Sequence, residues 1–269
     1  MNAYEQKALR EIRAWQAEPP GWGARLLAKP GNKLAAAVQV LVPAKALQAA
    51  LAGADALGRK LSDERSLLKR AGVADLASLR QMPLEHGDRL ARSVSLRALA
   101  LGGATGAVFG IAGAAGLLAD VPTLLTLSMR TIHRVGLCYG DKPDVDDRRR
   151  LGFAVFALVS ANSAGEKVAG LAALRDGHSN VEVAAWRDGI ERVAEREIAK
   201  EATTYSLQNL ARAIGLNLGK RKAAGTIPLI GAAVGAAVNA WYLADVAQVA
   251  RYVFQERWLG DRYSGAITD

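Results

Sequence analysis

The chain has 269 residues, enough to bury a large core in one helical domain or in two small ones. Hydrophobic residues make up 51% of it, so neither a disordered chain nor an obligate multi-span membrane protein is the expected class. With 35 Lys and Arg against 26 Asp and Glu, the net charge is +9, which favours anionic partners such as phosphate, phospholipid headgroups or nucleic acid.

Cysteine content and the N-terminal residues indicate the compartment. Cys138 is the single cysteine, so no intramolecular disulfide can form and the chain suits a reducing cytoplasm. Charged side chains are too frequent over residues 1–13 for the apolar region of a secretory signal. We therefore expect a cytoplasmic protein.

The first half of the chain shows helical periodicity interrupted by capping residues and prolines. Apolar residues at helical spacing predict an amphipathic N-terminal helix within residues 1–20, and Pro43 is expected to bend or break the next helix. Helices are predicted over residues 2–17, 32–61, 63–71 and 75–81. Pro83 then opens a long helix, which runs through LGGATGAVFGIAGAAGLLADVP and is predicted to stop at Asp120 and Pro122.

The second half continues the helical pattern, and no alternating strand pattern interrupts it. After Pro122 a helix is predicted to about residue 138, closed by Gly140. Further helices are predicted over residues 144–174, 179–214 and 223–258. The predicted fold class is all-α. Because no linker separates the parts, we expect a single multi-helix bundle over residues 1–269.

Two glycine-rich runs, residues 98–119 and 223–244, contain no charged residue. Each is long enough to cross a bilayer, but few bulky side chains and many glycines weaken that interpretation. A second interpretation is a glycine seam, in which small residues let the central helices at 98–138 and 223–258 approach closely as a hairpin. A third is a sheltered hairpin that opens to enter lipid. We favour the seam, whose predicted members are Gly102, Gly106, Gly110, Gly113, Gly231 and Gly235.

Two polar residues accompany these runs. Asp120 ends the first run at about the depth where Asn239 interrupts the second. If the two side chains meet in the core, each supplies the partner that a buried polar group needs.

Three segments together resemble the EcsC protein family. They are the opening YEQKALREIRAW, the run ADVPTLLTLSMRTIHRVGLCYGD at 119–141, and KRKAAGTIPLIGAAVGAAVNAWYLADVAQVARYVFQERWL at 220–259. The resemblance implies a bacterial protein associated with an operon for an ABC-type exporter, and it carries over no catalytic residue. The positions matching the family pattern are Asp120, Pro122, Tyr139, Gly140, Pro228, Gly231, Gly235 and Asn239.

Motifs for catalysis and cofactors are weak. His86, His133 and His178 lie far apart, so we expect no metal site, and neither a dinucleotide fingerprint nor a P-loop is present, so we expect no cofactor. No nucleophile elbow occurs. Nucleic acid is not the expected partner, because the basic clusters lack interleaved aromatic residues.

The basic clusters instead suit an anionic surface. Their members are Arg148, Arg149, Arg150, Lys220, Arg221 and Lys222. Five aromatic residues are candidate interfacial anchors, namely Trp15, Trp22, Trp241, Tyr242 and Trp258. We therefore expect a non-enzymatic, peripherally membrane-associated protein that binds anionic lipid or a membrane protein, as an accessory to an ABC-type exporter.

Two other functions stay open at this point. One is a hydrolase-like enzyme with an apolar pocket for a lipid-like or peptide substrate, where Asp120, His133 and Asn239 converge. The other is an obligate partner-binding subunit, which a contiguous exposed apolar patch would favour.

Overall fold

The computed structural model describes residues 1–19, 44–112, 114–142, 144–161, 164–176 and 220–263, with the helix backbone alone at 44–51, 114–119 and 220–230. These residues contain helices and no strand, so the all-α class is confirmed. The helices are α1 (Ala3–Ala17), α2 (Ala44–Lys60), α3 (Glu64–Ala71), α4 (Leu76–Gln81), α5 (Leu84–Ala112), α6 (Ala114–Cys138), α7 (Val145–Ser160), α8 (Ala164–Asp176) and α9 (Lys220–Arg262).

The short helices begin and end where their caps predict. Asn2 and Glu5 form a reciprocal capping box at the start of α1. Asp63 and Asp75 accept backbone N–H groups at the starts of α3 and α4, and Gly72 closes α3 with a positive φ of 71°. The predictions at 2–17, 63–71 and 75–81 are confirmed. Of the helix predicted over 32–61, the described part is Ala44–Lys60.

The break between α5 and α6 differs from the prediction. The helix expected to stop at Asp120 and Pro122 ends at Ala112, and α6 runs through both residues. An interior proline costs a helix about 3 kcal/mol. The next turn buries Leu124 and Leu125, each contributing about 1.5–3 kcal/mol, so packing outweighs the lost hydrogen bond.

The helix predicted over 144–174 is also divided. Asp144 caps α7 as expected, but α7 ends at Ser160 and α8 starts at Ala164. The residue after α7, Ala161, has φ −59° and ψ 130°, which are not helical angles, so α7 ends there. The helix predicted over 179–214 lies outside the described residues.

Three helices form the centre of the described structure. α5 and α9 run antiparallel and make the most extensive helix contact, while α6 packs against both of them and against α2. The buried core draws side chains from α1 to α7 and from α9. α1 lies on α9, where Trp15 stacks on Tyr252 at a centroid separation of 5.1 Å. The Lys167 ammonium of α8 donates to the carbonyls of Trp15 and Glu18, holding the C-terminal end of α1.

Candidate functional site

Glycines bring the backbones of α5 and α9 into direct contact. A β-carbon added to Gly106 would overlap the carbonyl oxygen of Gly235, and one added to Gly110 would overlap that of Gly231. One turn earlier, a β-carbon on Gly102 would lie 2.8 Å from the carbonyl oxygen of Asn239. The structure thus brings five of the six predicted seam glycines to this interface. The sixth, Gly113, lies outside the described residues.

Asp120 and Asn239 meet beside this contact. The Asn239 side-chain amide donates to both Asp120 carboxylate oxygens, at 2.9 and 3.1 Å, and both residues are almost fully buried. Since the Asn239 carbonyl faces Gly102, the pair joins α5, α6 and α9 at one level. A buried carboxylate is costly without such donors, so the arrangement fixes α6 against the helix pair.

Bulky apolar residues of α5 are exposed outside the glycine contact. Leu96 is 70% exposed, Val108 63% and Ile111 58%, and Leu99 and Leu101 are also exposed. Of these, Leu96, Val108 and Ile111 lie within about 120° around the helix axis, and we call these three residues the apolar face of α5. Leu84–Ile111 is the one candidate membrane span among the described residues, but only 22% of its apolar window is buried, unlike the core helix of a soluble protein.

Basic residues lie on the same helix, before and at the N-terminal end of this face. Arg89, Arg92 and Arg97 are all exposed. The Arg89 guanidinium lies 3.3 Å from His86 Nδ1, and the Arg70 guanidinium of α3 reaches Ser93 Oγ at 3.4 Å. Exposed arginines close to exposed apolar residues on one helix suit contact with an anionic membrane surface.

Tyr139 belongs to a buried cluster centred on Asp88. The Tyr139 hydroxyl donates to Asp88 Oδ1 at 2.5 Å, Tyr4 donates to Oδ2 at 2.6 Å, and Gln255 donates to Oδ1 at 2.7 Å. Burial, reinforced by Asp88, raises the Tyr139 pKa well above its usual value. Burial and the Asp88 hydrogen bond raise the pKa of Tyr4 to about 12. The cluster ties α1, α5 and α9 to the end of α6.

Sequence reasoning identified Tyr139 but missed Asp88, Tyr4 as its partner, and Gln255. Because Asp88 lies in a charged segment, the sequence predicts a solvent-exposed side chain, whereas Asp88 is only 2% exposed. The one local signal is Gly87, where a β-carbon would lie 2.8 Å from the Tyr139 ring. Such a contact spans more than fifty positions and leaves no periodic trace.

Asp120 and Asn239 meet, but His133 does not join them, so these three residues do not form the pocket that the hydrolase alternative needs. His133 lies about 20 Å along α6 from Asp120, and its Nε2 is 2.8 Å from Asp55 Oδ1 of α2. Cys138 is buried, which raises its thiol pKa to about 12, so it is a poor thiolate nucleophile or metal ligand. No group of three or more metal-ligating side chains occurs in the part of the chain that the structure describes.

The two basic clusters that were predicted to bind an anionic surface do not lie together with the apolar face in the described residues. Arg150 pairs with Asp147 at 2.8 Å near the start of α7, and Arg148 lines a cavity beside Leu137 at the far end of α6, so this triplet is not next to the apolar face. Lys220, Arg221 and Lys222 begin α9, but their side chains lie outside the described residues.

Trp258 and Tyr242 are core residues, so their prediction as anchors is wrong. Trp15 packs on Tyr252, and Trp22 is not described.

A glycine-packed helix pair, two buried carboxylate clusters, and exposed arginines and apolar residues on α5 characterise this all-α protein. The chain belongs to the EcsC protein family, whose model matches residues 6–259. No curated protein and no solved structure matches it.

Proposed function

We propose that this protein acts at the cytoplasmic face of the bacterial membrane, without catalysing a reaction, by docking α5 on anionic lipid. The observation that carries the proposal is the succession on one helix of exposed arginines and the apolar face. The net charge of +9 acts in the same direction, because it attracts the chain to a negative surface.

The magnitudes suit reversible binding. Each arginine near an anionic surface contributes about 1 kcal/mol. Moving a half-exposed Leu, Val or Ile side chain into the acyl boundary adds about 1 kcal/mol. The three arginines and the three residues of the apolar face together supply about 6 kcal/mol, comparable with a single acyl anchor, before the entropy of association is subtracted.

The inner side of α5 argues for docking as a folded surface and against insertion as a span. Gly102, Gly106 and Gly110 lie against α9, and lifting α5 away would remove this contact. The buried Asp120–Asn239 pair beside it would also lose its shelter, which is costly in hydrocarbon. We therefore place α5 in the plane of the interface, with its glycine side kept on α9.

An accessory role for an ABC-type exporter is the second part of the proposal. It rests on the family resemblance, because the described contacts identify no exporter-binding residue. A protein held on the inner leaflet meets membrane proteins by diffusion in two dimensions, which raises the effective concentration of weak partners.

Vesicle flotation tests the lipid-docking step. Val108→Asp puts a charge in the middle of the apolar face, and we expect it to weaken binding to phosphatidylglycerol vesicles about tenfold at low salt. Val168→Asp is the matched control, since Val168 on α8 is 65% exposed and Val108 is 63% exposed. The control variant is expected to float like the wild type.

Two results would overturn the proposal. One is wild-type protein that stays at the bottom of the gradient with anionic vesicles. The other is equal flotation of the Val108→Asp and Val168→Asp proteins, which would leave net charge alone as the cause. Protein that resists a carbonate wash of membranes would contradict peripheral docking and favour integral insertion.

A partner-binding subunit is the second candidate, and the same apolar face favours it. A contiguous exposed apolar patch marks protein interfaces as well as lipid contacts. Exposed arginines do not separate the two candidates, because arginine is enriched at protein interfaces and also binds anionic headgroups. Copurification of one stoichiometric membrane protein, lost in Val108→Asp but retained in Val168→Asp, together with failure to bind vesicles, would select this candidate.

A further inference from the structure

A buried arginine on α6 has no acidic partner in the part of the chain that the structure describes. Arg134 is 5% exposed, and its guanidinium donates to the Ser62 carbonyl at 2.9 Å and to Ser66 Oγ at 3.1 Å. Its Nε makes no hydrogen bond, and no described carboxylate forms an ion pair with it. Because charged side chains are almost never fully buried unless they are paired, this environment is unusual.

The hydrogen bonds of Arg134 account for its position but not for its charge. The Ser62 carbonyl and the Ser66 hydroxyl are both neutral acceptors. A neutral donor would hold the start of α3 on α6 without the cost of burying an ion. A buried charge that its own contacts do not need indicates a partner of opposite sign.

Two further arginines act on Arg134. Arg130 is one turn earlier on the same face of α6, and its Nε donates to the Leu61 carbonyl at 3.1 Å. Arg97 of α5 is exposed, and neither it nor Arg130 forms an ion pair with a described residue. Burial lowers the pKa of Arg134, and repulsion from Arg130 and, less strongly, from Arg97 lowers it further. We call Arg97, Arg130 and Arg134 the arginine cluster.

The acidic charge near this cluster is smaller than the basic charge. Asp63 is the carboxylate that acts most strongly on Arg134, and it accepts the Ser66 backbone N–H at 3.2 Å. Glu64 follows it, but α3 carries three basic residues after Glu64. With Asp63 counted against the three guanidinium groups, the described residues leave two positive charges uncompensated.

We propose that the arginine cluster binds a phosphate monoester, with Arg97 and Arg130 contacting the phosphate group and Arg134 supplying charge from behind them. A phosphate monoester carries a charge of about −1.5 to −2 at neutral pH, which matches the charge left uncompensated. Guanidinium groups recognise phosphate oxygens through paired, charge-assisted hydrogen bonds. The ligand is either a soluble phosphate ester or the headgroup of a lipid, and both present the same chemistry.

This inference rests on the unpaired arginines and not on the docking of α5. The two surfaces are nevertheless neighbours, because Arg97 follows Leu96 directly and lies about 100° from it around the helix axis, within the arc of the apolar face. A headgroup in the cluster would therefore place its acyl chains next to that face.

Calorimetric titration of the full chain at constant ionic strength tests the site with three probes. They are glycerol phosphate, diethyl phosphate, and dihexanoyl phosphatidic acid below its micelle concentration. We expect glycerol phosphate to bind at least about tenfold more tightly than diethyl phosphate, because the diester has less charge and fewer free oxygens. Tighter binding of the phosphatidic acid than of glycerol phosphate would identify a headgroup as the source, and the reverse order would identify a soluble ester.

The accessible arginines provide the variants. Arg97→Gln and Arg130→Gln should each weaken the binding of glycerol phosphate about tenfold to a hundredfold, the usual effect of removing a hydrogen bond to a charged group. Arg10→Gln is the matched control, since it removes the same charge from an exposed residue of α1 and should bind like the wild type. Saturating glycerol phosphate should raise the melting temperature of the wild type and of Arg10→Gln, but not that of Arg130→Gln.

Three results would overturn the proposal. The first is that neither glycerol phosphate nor the phosphatidic acid binds at millimolar concentration. The second is equal affinity for glycerol phosphate and diethyl phosphate, which would exclude a site matched to a dianion. The third is that Arg10→Gln weakens binding as much as Arg130→Gln, since diffuse surface charge would then be responsible.

These outcomes are distinguishable from failure of the docking proposal. Arg130 lies on α6 and is not one of the arginines assigned to lipid docking, so a loss of binding in Arg130→Gln belongs to the arginine cluster alone. The vesicle-flotation test depends on Val108, which contributes nothing to a soluble phosphate ester.

Discussion

At the residue scale, the close approach of α5 and α9 depends on glycine, whose side chain is a single hydrogen atom. Gly106→Ala forces a methyl group against the Gly235 carbonyl, and overpacking of this kind costs about 1–3 kcal/mol. Gly103 is the matched control, because the nearest atoms to its added β-carbon lie at 3.9 Å. Gly103→Ala should leave stability unchanged or raise it by up to about 1 kcal/mol, since alanine favours the helix.

Urea unfolding of the two variants measures this difference. We expect a lower midpoint for Gly106→Ala and an equal or higher one for Gly103→Ala. A Gly106→Ala protein as stable as the wild type would mean that the two backbones are not in contact at this position.

The Asp88 cluster predicts a loss of stability at alkaline pH. The folded state raises the pKa of Tyr139 above its unfolded value, so its contribution is complete below about pH 10 and declines as pH rises toward the folded pKa. The unfolded chain then binds fewer protons than the folded chain. The free energy of unfolding should fall by up to about 1.4 kcal/mol per pH unit for this residue.

Tyr139→Phe isolates this effect. The variant should be less stable than the wild type at neutral pH, because Asp88 loses a buried donor, and the difference should shrink above pH 10. Cys138, whose pKa is also raised, is present in both proteins and cancels. A difference that is constant from neutral pH to strongly alkaline pH would contradict this account.

Single polar residues were predictable only where a second signal accompanied them. A contact between Asp120 and Asn239 could be considered in advance because Asp120 ends one uncharged run at about the depth where Asn239 interrupts the other. Asp88 gave no such signal, since charged residues surround it along the chain. Its burial is decided by helices far away in sequence, which local patterns do not encode.

At the element scale, helix starts were more predictable than helix breaks. The caps at Asn2, Asp63, Asp75 and Asp144 act within one turn, so the sequence reveals them directly. The break after Ala112 was missed because Pro122 looked like the stronger signal. Propensity there was outweighed by the burial of the residues that follow the proline.

A disulfide between α5 and α9 distinguishes docking of the folded helix from opening of the hairpin. A β-carbon on Gly103 would lie 3.9 Å from that of Ala240, within the range for a disulfide. We expect Gly103→Cys/Ala240→Cys protein to cross-link on oxidation and to float with anionic vesicles as well as its reduced form does. The native thiol at Cys138 is buried and should not compete.

Loss of flotation on oxidation, restored by a reductant, would contradict peripheral docking. It would show that α5 must leave α9 to reach the lipid. Failure of the two cysteines to cross-link at all would contradict the antiparallel register itself.

At the whole-molecule scale, the all-α class and the central pairing of residues 98–138 with 223–258 followed from sequence, while the distribution of surface features did not. The exposed apolar face and the cavity lie toward opposite ends of the helix pair. Composition gives the total charge of +9 but not how that charge is distributed over the surface. Only the packing of α2, α3 and α7 around α6 brings Lys60, Arg65 and Arg148 to one cavity.

The repeated contact between α5 and α9 also restricts how the chain can change in length. One residue inserted between Gly102 and Gly106 would rotate everything after it by about 100° around the axis of α5. The later glycines would then turn away from α9, and side chains from the outward arc would be driven into its backbone. Helix α5 therefore accommodates replacement of residues far more readily than insertion or deletion, and length variation belongs in the connections between helices.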